Sequence, residues 1–156
     1  MNLLNFFKEK NKNPFFIIST IFWSLVFSFI LVIWVIFSPN DISHIFLPLL
    51  MTFGIILFLL GIALIFFTLK NKITGKLKKF LLLMGSAAAG FIPGVLLHNL
   101  VYGLFILLFG ADFWDKTGGG DEPFFFIFAI IICPLAFLIG TIGGAYYLRK
   151  NKNKGK

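Results

Sequence analysis

The chain alternates long apolar runs with short polar blocks. Four runs stand out, at about residues 15–37, 45–69, 80–110 and 124–148. A helix rises about 1.5 Å per residue, so the shortest run, of about 23 residues, reaches about 34 Å and crosses a hydrocarbon core of about 30 Å. The pattern predicts an all-α fold: an integral membrane four-helix bundle, with residues 1–156 forming a single transmembrane domain. The first run is longer than the apolar region of a signal peptide, about 7–15 residues, and Ser38-Pro39-Asn40 makes a poor cleavage site. It reads as a retained helix.

The polar blocks place the ends of these helices. Pro14 opens the first run, and Ser38-Pro39-Asn40-Asp41 is a turn cluster. Pro48 falls in the first turn of the second helix, where a missing N–H costs little. Lys70, Lys72, Lys76, Lys78 and Lys79 follow that helix, with Gly75 as the break. The loop 111–123 carries Asp112, Asp115, Asp121 and Glu122 around Gly118-Gly119-Gly120, and Arg149, Lys150, Lys152, Lys154 and Lys156 close the chain.

Every Lys and Arg except Lys116 lies in the first tail, the middle loop or the last tail. Four crossings bring these three segments to one side, whereas three or five would divide them. The positive-inside rule makes that side the cytoplasm. The sequence therefore predicts cytoplasmic N- and C-termini, an outward acidic loop, and a multi-pass protein of the cytoplasmic (inner) cell membrane. Trp34 and Trp114 near the outer side, and Tyr146 and Tyr147 near the inner one, suit interfacial anchoring.

Composition strengthens the lipid reading. A soluble domain is about 45–50% apolar and about 25% charged. Here 59% of residues are hydrophobic and 13% charged, at a mean hydropathy of +0.98, too little polar surface to cover a water-facing globule. The net charge of +8 sits beside apolar runs, so it points to orientation and to anionic lipid head groups, not to nucleic acid. Cys133 is the only cysteine, which excludes an intramolecular disulfide. It reads as a small packed side chain, with a redox or lipid-attachment role as the alternative.

Helices in lipid associate by close packing and hydrogen bonds. Thr20, Ser24 and Ser28 recur every four residues on the first helix. Gly85, Ser86, Ala87, Ala88, Ala89 and Gly90, with Gly94 beyond, form a small-residue patch on the third. Gly140 and Gly144 make a G-x-x-x-G pair on the fourth, and Gly54 and Gly61 share a face of the second. These are expected to be internal seams of the bundle. The alternative is that one seam receives a protein partner or a second copy. The third run, about 31 residues, would rise about 46 Å, so a kink near Gly90–Gly94 is expected, where Pro93 removes a backbone donor.

Candidate chemistry gathers toward the outer side. His98, Asn99 and Tyr102 form the most polar stretch within a run, with His98 and Tyr102 sharing a face. His44, Asp41, Asp112, Asp115, Asp121 and Glu122 are expected near the same side. Histidines with carboxylates suit a divalent-metal site, a proton-sensitive switch or a hydrolytic centre. Against this, no H-E-x-x-H, calcium-loop or paired-cysteine spacing is present, so no metal and no cofactor is expected. The plainer readings are that His98, Asn99 and Tyr102 hydrogen-bond neighbouring helices, that the acidic loop is solvated, and that Asp121-Glu122-Pro123 starts the fourth helix. The triple glycine lacks the Gly-Lys-Ser/Thr of a phosphate loop, and no charge lies at the middle of any run, which counts against a proton-driven pump.

The stretch Gly94-Val-Leu-Leu-His98-Asn99-Leu-Val-Tyr102-Gly-Leu-Phe105, followed by Asp121-Glu122-Pro123-Phe-Phe, resembles a group of small prokaryotic four-helix membrane proteins of uncharacterised activity. The resemblance covers roughly the C-terminal half and implies no reaction. Short soluble segments and the absence of a catalytic motif favour a non-enzymatic accessory or partner-binding component. Its working surface would be the His98–Tyr102 face with the acidic loop. A subunit of an oligomeric transporter or channel is the second reading. An intramembrane enzyme or metal site at the outer face is the third, and it requires carboxylates within about 3 Å of His98.

Overall fold

The structure, a computed structural model, describes residues 14–36, 43–118 and 121–154. The described residues form helices α1 (Pro14–Ile36), α2 (Ser43–Lys70), α3 (Gly75–Phe109), the short α4 (Phe113–Lys116), α5 (Pro123–Ile127) and α6 (Cys133–Lys154), and no strand. A π-helical turn, Phe128–Ile132, joins α5 to α6 into one fourth rod. Four rods are long and apolar enough to cross a membrane: Phe15–Ile36, Pro48–Lys70, Gly75–Phe109 and Pro123–Asn151.

The rods pack in chain order, α1 along α2, α2 along α3, and α3 along α6. α1 reaches α6 through large side chains: Phe22 lies over Gly144, and Phe29 stacks on Phe137 at 4.5 Å. The core of this arrangement holds Ile18, Phe22 and Leu25 of α1, Leu57 and Leu64 of α2, Leu81 and Met84 of α3, and Phe137 of α6. Large apolar side chains also cover the outside. Leu107 is 82% exposed and Ile142 73% exposed, an arrangement that suits lipid as the surrounding solvent.

Several features differ from the sequence reading. α2 begins at Ser43, which puts Pro48 inside the helix and not in its first turn, and α6 runs to Lys154, past the apolar run that ends near residue 148. α3 starts at Gly75, not Phe80, so Lys76, Lys78 and Lys79 belong to its first turns. Lysine is a good helix former, and apolar counting marks where lipid begins, not where backbone hydrogen bonding begins. The link from α2 is a tight cap in which Ile73 N–H donates to Thr68 O at 3.2 Å and Lys72 N–H to Leu69 O at 3.0 Å. Lys72 takes φ +51° there, the left-handed position that usually goes to glycine.

A further difference is the π turn. Pro134 has no N–H to offer the carbonyl of Ile130, and its ring would crowd that carbonyl in a regular helix. The wider turn just before it relieves the clash: Cys133 N–H donates to Phe128 O, one residue further back than the α pattern. The extra residue sets Ala129 against Gly94 and buried Cys133 against Gly90. α3 runs as one 35-residue helix with Pro93 inside it, about 52 Å at 1.5 Å per residue.

Candidate functional site

The polar residues converge where the far end of α3 meets the start of α5. Pro123 occupies the first turn of α5, and Glu122 is the residue before it. Glu122 folds its own carboxylate over the helix start: Oε1 accepts Phe124 N–H at 2.8 Å, and Oε2 accepts Phe125 N–H at 2.9 Å. An anion suits that position because the first N–H groups of a helix lack partners. Asp121 Oδ1 in turn accepts the Glu122 N–H at 2.7 Å. The Asp121-Glu122 pair thus ties off the loop and starts the fourth rod.

His98 approaches this knot from α3. Nδ1 lies 3.1 Å from the Glu122 carbonyl oxygen and 3.4 Å from Oε2. A carbonyl only accepts, so Nδ1 carries the proton and donates. Nε2 faces Asp121 Oδ1 at 3.6 Å, past good hydrogen-bond reach but within ion-pair range when the ring is charged. The His98 side chain is 16% exposed and that of Glu122 6%, whereas Asp121 is half open. A buried carboxylate is costly unless its oxygens are engaged, and here backbone N–H groups and the imidazole engage them.

Aromatic rings extend the knot along α3. His98 stacks on Tyr102 at 6.4 Å and meets Phe126 at 5.7 Å. Tyr102 stacks nearly parallel on Trp114 at 5.9 Å, and Trp114 Nε1 donates to the Tyr102 carbonyl at 3.2 Å. Phe105 and Phe113 meet the same indole, at 5.5 and 5.1 Å between centroids, and Phe109 packs on Phe113 at 5.1 Å. Edge and offset ring pairs each add roughly 0.5–1.5 kcal/mol beyond area burial. The sequence reading missed this cluster. Its signal was present: His98, Tyr102, Phe105 and Phe109 are spaced four, three and four apart, one face of a helix.

The other candidate residues stand apart. Asn99 is exposed and turns its amide back to Val95 O at 2.8 Å. Asp112 pairs with Lys116 at 3.7 Å on the exposed face of α4, and Asp115 is exposed. His44 falls in the first turn of α2, and its side chain lies outside the described residues, as does Asp41. Of the four loop acids, then, Asp121 and Glu122 meet His98, and Asp112 and Asp115 do not. Among the described residues no group of three or more His, Cys, Asp or Glu is placed to hold a metal ion.

The small residues divide in the same way. A methyl added at Gly85 would meet Ile65 Cγ1 at 2.8 Å and the Gly61 carbonyl at 3.0 Å, and one at Gly140 would meet Met84 N at 2.7 Å. At Gly144 it would meet the Phe22 ring at 2.6 Å. Gly90 and Gly94 face Phe128, Ala129 and Cys133 of the π turn, and Ala89 is half-buried, its backbone nitrogen close to Gly61. Thr20 is exposed, Ser24 half-buried and Ser28 buried, beside a groove between α1 and α2.

No family model matches the chain, and neither does any curated protein or solved structure.

Proposed function

We propose that this chain is a multi-pass component of the cell membrane that carries out no reaction itself and offers the α4 end of its bundle to a partner on the outer side. Both termini lie in the cytoplasm, because the lysines of the tails and of the α2–α3 turn then share that side and reach anionic head groups. α3 is longer than the core is thick. It bends near Gly90–Gly94, where Pro93 cannot donate to the Ala89 carbonyl, and its last turns reach the interface. The same scheme agrees with the resemblance of its C-terminal half to small prokaryotic four-helix membrane proteins.

The observation that carries this reading is how fully Glu122 is engaged. Both of its carboxylate oxygens cap α5 and its carbonyl takes the His98 proton, so the nearest acid to the histidine is committed to structure. Among the described residues His98 hydrogen-bonds to Glu122, which ties it to the start of α5. What the knot does accomplish is to hold a rim of Trp114, Phe109 and the α4 carboxylates in fixed relation. Aromatic groups beside charge are the composition of binding surfaces.

A photoreactive side chain at Asp115 tests this in living cells. One discrete cross-linked species is expected, together with labelling of Asp115→Cys, and of neither terminus, by an impermeant maleimide. A terminus labelled from outside overturns the orientation. Steady ion flux or hydrolysis by the purified protein in liposomes overturns the non-enzymatic reading.

A further inference from the structure

The α4 end of the molecule is one continuous stretch of chain: the last turns of α3 from Val95 to Phe109, then α4, then α5. Its pieces are fastened to each other. His98 holds Glu122, Trp114 holds the Tyr102 carbonyl, and Phe105 and Tyr102 pack on the indole. Among the described residues α4, α5 and the π turn pack on α3 and on the fourth rod, and not along α1 or α2. On its other side this part of α3 is bare, with Leu96 63% exposed and Leu100 64%. The stretch is therefore a lobe, tied within itself and little held by the first two helices.

Two stretches of chain, α3 and the fourth rod, join the lobe to the rest of the bundle. Both lose regular helical hydrogen bonding at the join. In α3 Pro93 has no N–H for the Ala89 carbonyl. In the fourth rod the π turn Phe128–Ile132 widens the ladder, and Pro134 has no N–H for the Ile130 carbonyl. The two interruptions lie side by side. A Cβ on Gly94 would stand 3.0 Å from the Ala129 Cβ, and one on Gly90 3.5 Å from Cys133 Sγ. Toward the α2–α3 turn the fit is tighter: a Cβ on Gly61 or Gly140 would meet backbone of α3 at 2.8 and 2.7 Å.

We infer that the lobe tilts as one rigid piece on a double hinge, Gly90–Gly94 of α3 beside Phe128–Cys133 of the fourth rod. A fixed bend in α3 needs one interrupted ladder. Here there are two at one level, one in each connection to the bundle, so both connections change direction together. The His98 knot keeps the two rods from separating beyond the hinge. The motion is then a swing of the whole lobe and not a splaying of its helices, and collective swings of this kind take microseconds to milliseconds. The hinge belongs to the single chain and stands whether or not the α4 rim meets a partner.

Distances between pairs of spin labels on the full chain in lipid nanodiscs test it. With Cys133, the only cysteine, replaced by Ala, labels go on exposed positions in three pairs. Leu107→Cys with Ile142→Cys spans lobe and bundle, Leu107→Cys with Phe124→Cys lies within the lobe, and Phe66→Cys with Ile142→Cys lies within the bundle. The spanning pair is expected to give a distance distribution at least about twice as wide as either internal pair. Pro93→Ala with Pro134→Ala restores both missing donors and is expected to narrow that distribution. A spanning pair no wider than the internal ones overturns the inference. So does a lobe pair as wide as the spanning one, because the lobe is then not rigid. A wide distribution that the two alanines leave unchanged also overturns it, by placing the flexibility elsewhere. Should the alanine variant fail to insert, the comparison among the three pairs still decides.

Discussion

In the half of the bundle nearer the α2–α3 turn, helices touch backbone to backbone. At the α4 end they are joined by side-chain polar groups and stacked rings. Gly61 and Gly85 bring α2 and α3 together so closely that a methyl on Gly61 would lie 2.8 Å from the Gly85 oxygen, and Gly140 does the same for α6 against Met84. At the other end Gly103 and Gly110 have open space around them, and His98, Glu122, Tyr102 and Trp114 make the contacts. The contrast follows from the surroundings. Where lipid provides no drive to bury leucine against leucine, close approach gains dispersion and so selects glycine. Near a helix end the unpaired N–H groups demand acceptors, and polar side chains become the fastening.

If that contrast is right, adding one carbon to the close-packed half is the largest disturbance available. Gly140→Ala sets a methyl 2.7 Å from Met84 N and Cβ, and backbone cannot yield as a flexible side chain can. A loss of about 3 kcal/mol is expected in reversible unfolding from mixed micelles. Gly103→Ala, in open space, is expected to change stability by less than about 1 kcal/mol, in the favourable direction. Equal effects at the two glycines would remove the distinction between the two halves.

The polar end is probed next by its carboxylate. Glu122→Ala deletes both cap bonds to Phe124 and Phe125 and one contact of His98. It is expected to cost about 2 kcal/mol, a cap plus a charge-assisted bond. The loss should be local. Amide exchange should rise at Phe124 and Phe125, and Trp114 emission should shift in a chain whose other two tryptophans, Trp23 and Trp34, are Phe. Exchange spread evenly over the four rods would show one cooperative unit, not two differently fastened ends.

His98→Leu is the smaller perturbation of the same end. Glu122 keeps its backbone partners, so the change removes the Nδ1 bond shared between the Glu122 carbonyl and Oε2 and the ring contacts with Tyr102 and Phe126, about 1 kcal/mol. Insertion and helix content are expected to be intact, with a shift in Trp114 emission smaller than that from Glu122→Ala. Failure to insert would place His98 among the packing residues.

Much of this was legible because lipid writes its demands into composition. Runs of apolar residues mark the four rods, and a methyl added at Gly85, Gly140 or Gly144 would meet a neighbouring helix within 3 Å. The start of α3 at Gly75 was not legible from hydropathy, because Lys76, Lys78 and Lys79 are helical but not buried in lipid. The π turn at Phe128–Ile132 has no compositional signature; only the Pro134 after it hinted that a regular helix would clash. At the candidate site, reach from His98 to Asp121 and Glu122 depends on how the loop folds back from α4. Sequence spacing cannot tell those two acids from Asp112 and Asp115, which the loop leaves exposed.

The finest test lies at an exception within the close-packed half. Thr68 is fully buried, and its Oγ1 is the buried side-chain atom without a hydrogen-bond partner among the described residues. Its hydroxyl does not bond back along the helix as those of Thr20, Thr52 and Thr141 do, although its carbonyl is taken by Ile73 N–H in the cap that ends α2. If apposition of apolar and backbone surface alone fastens this half, the hydroxyl contributes only its desolvation cost. Thr68→Val keeps the branched shape and puts a methyl where the oxygen was. It should therefore stabilise the chain by up to about 1 kcal/mol in the same micelle unfolding assay, without moving Trp114 emission. A loss of stability would mean that a polar contact, such as an ordered water, works at the cap. Hydrogen bonding would then fasten both ends of the bundle, and the difference between them would be one of degree.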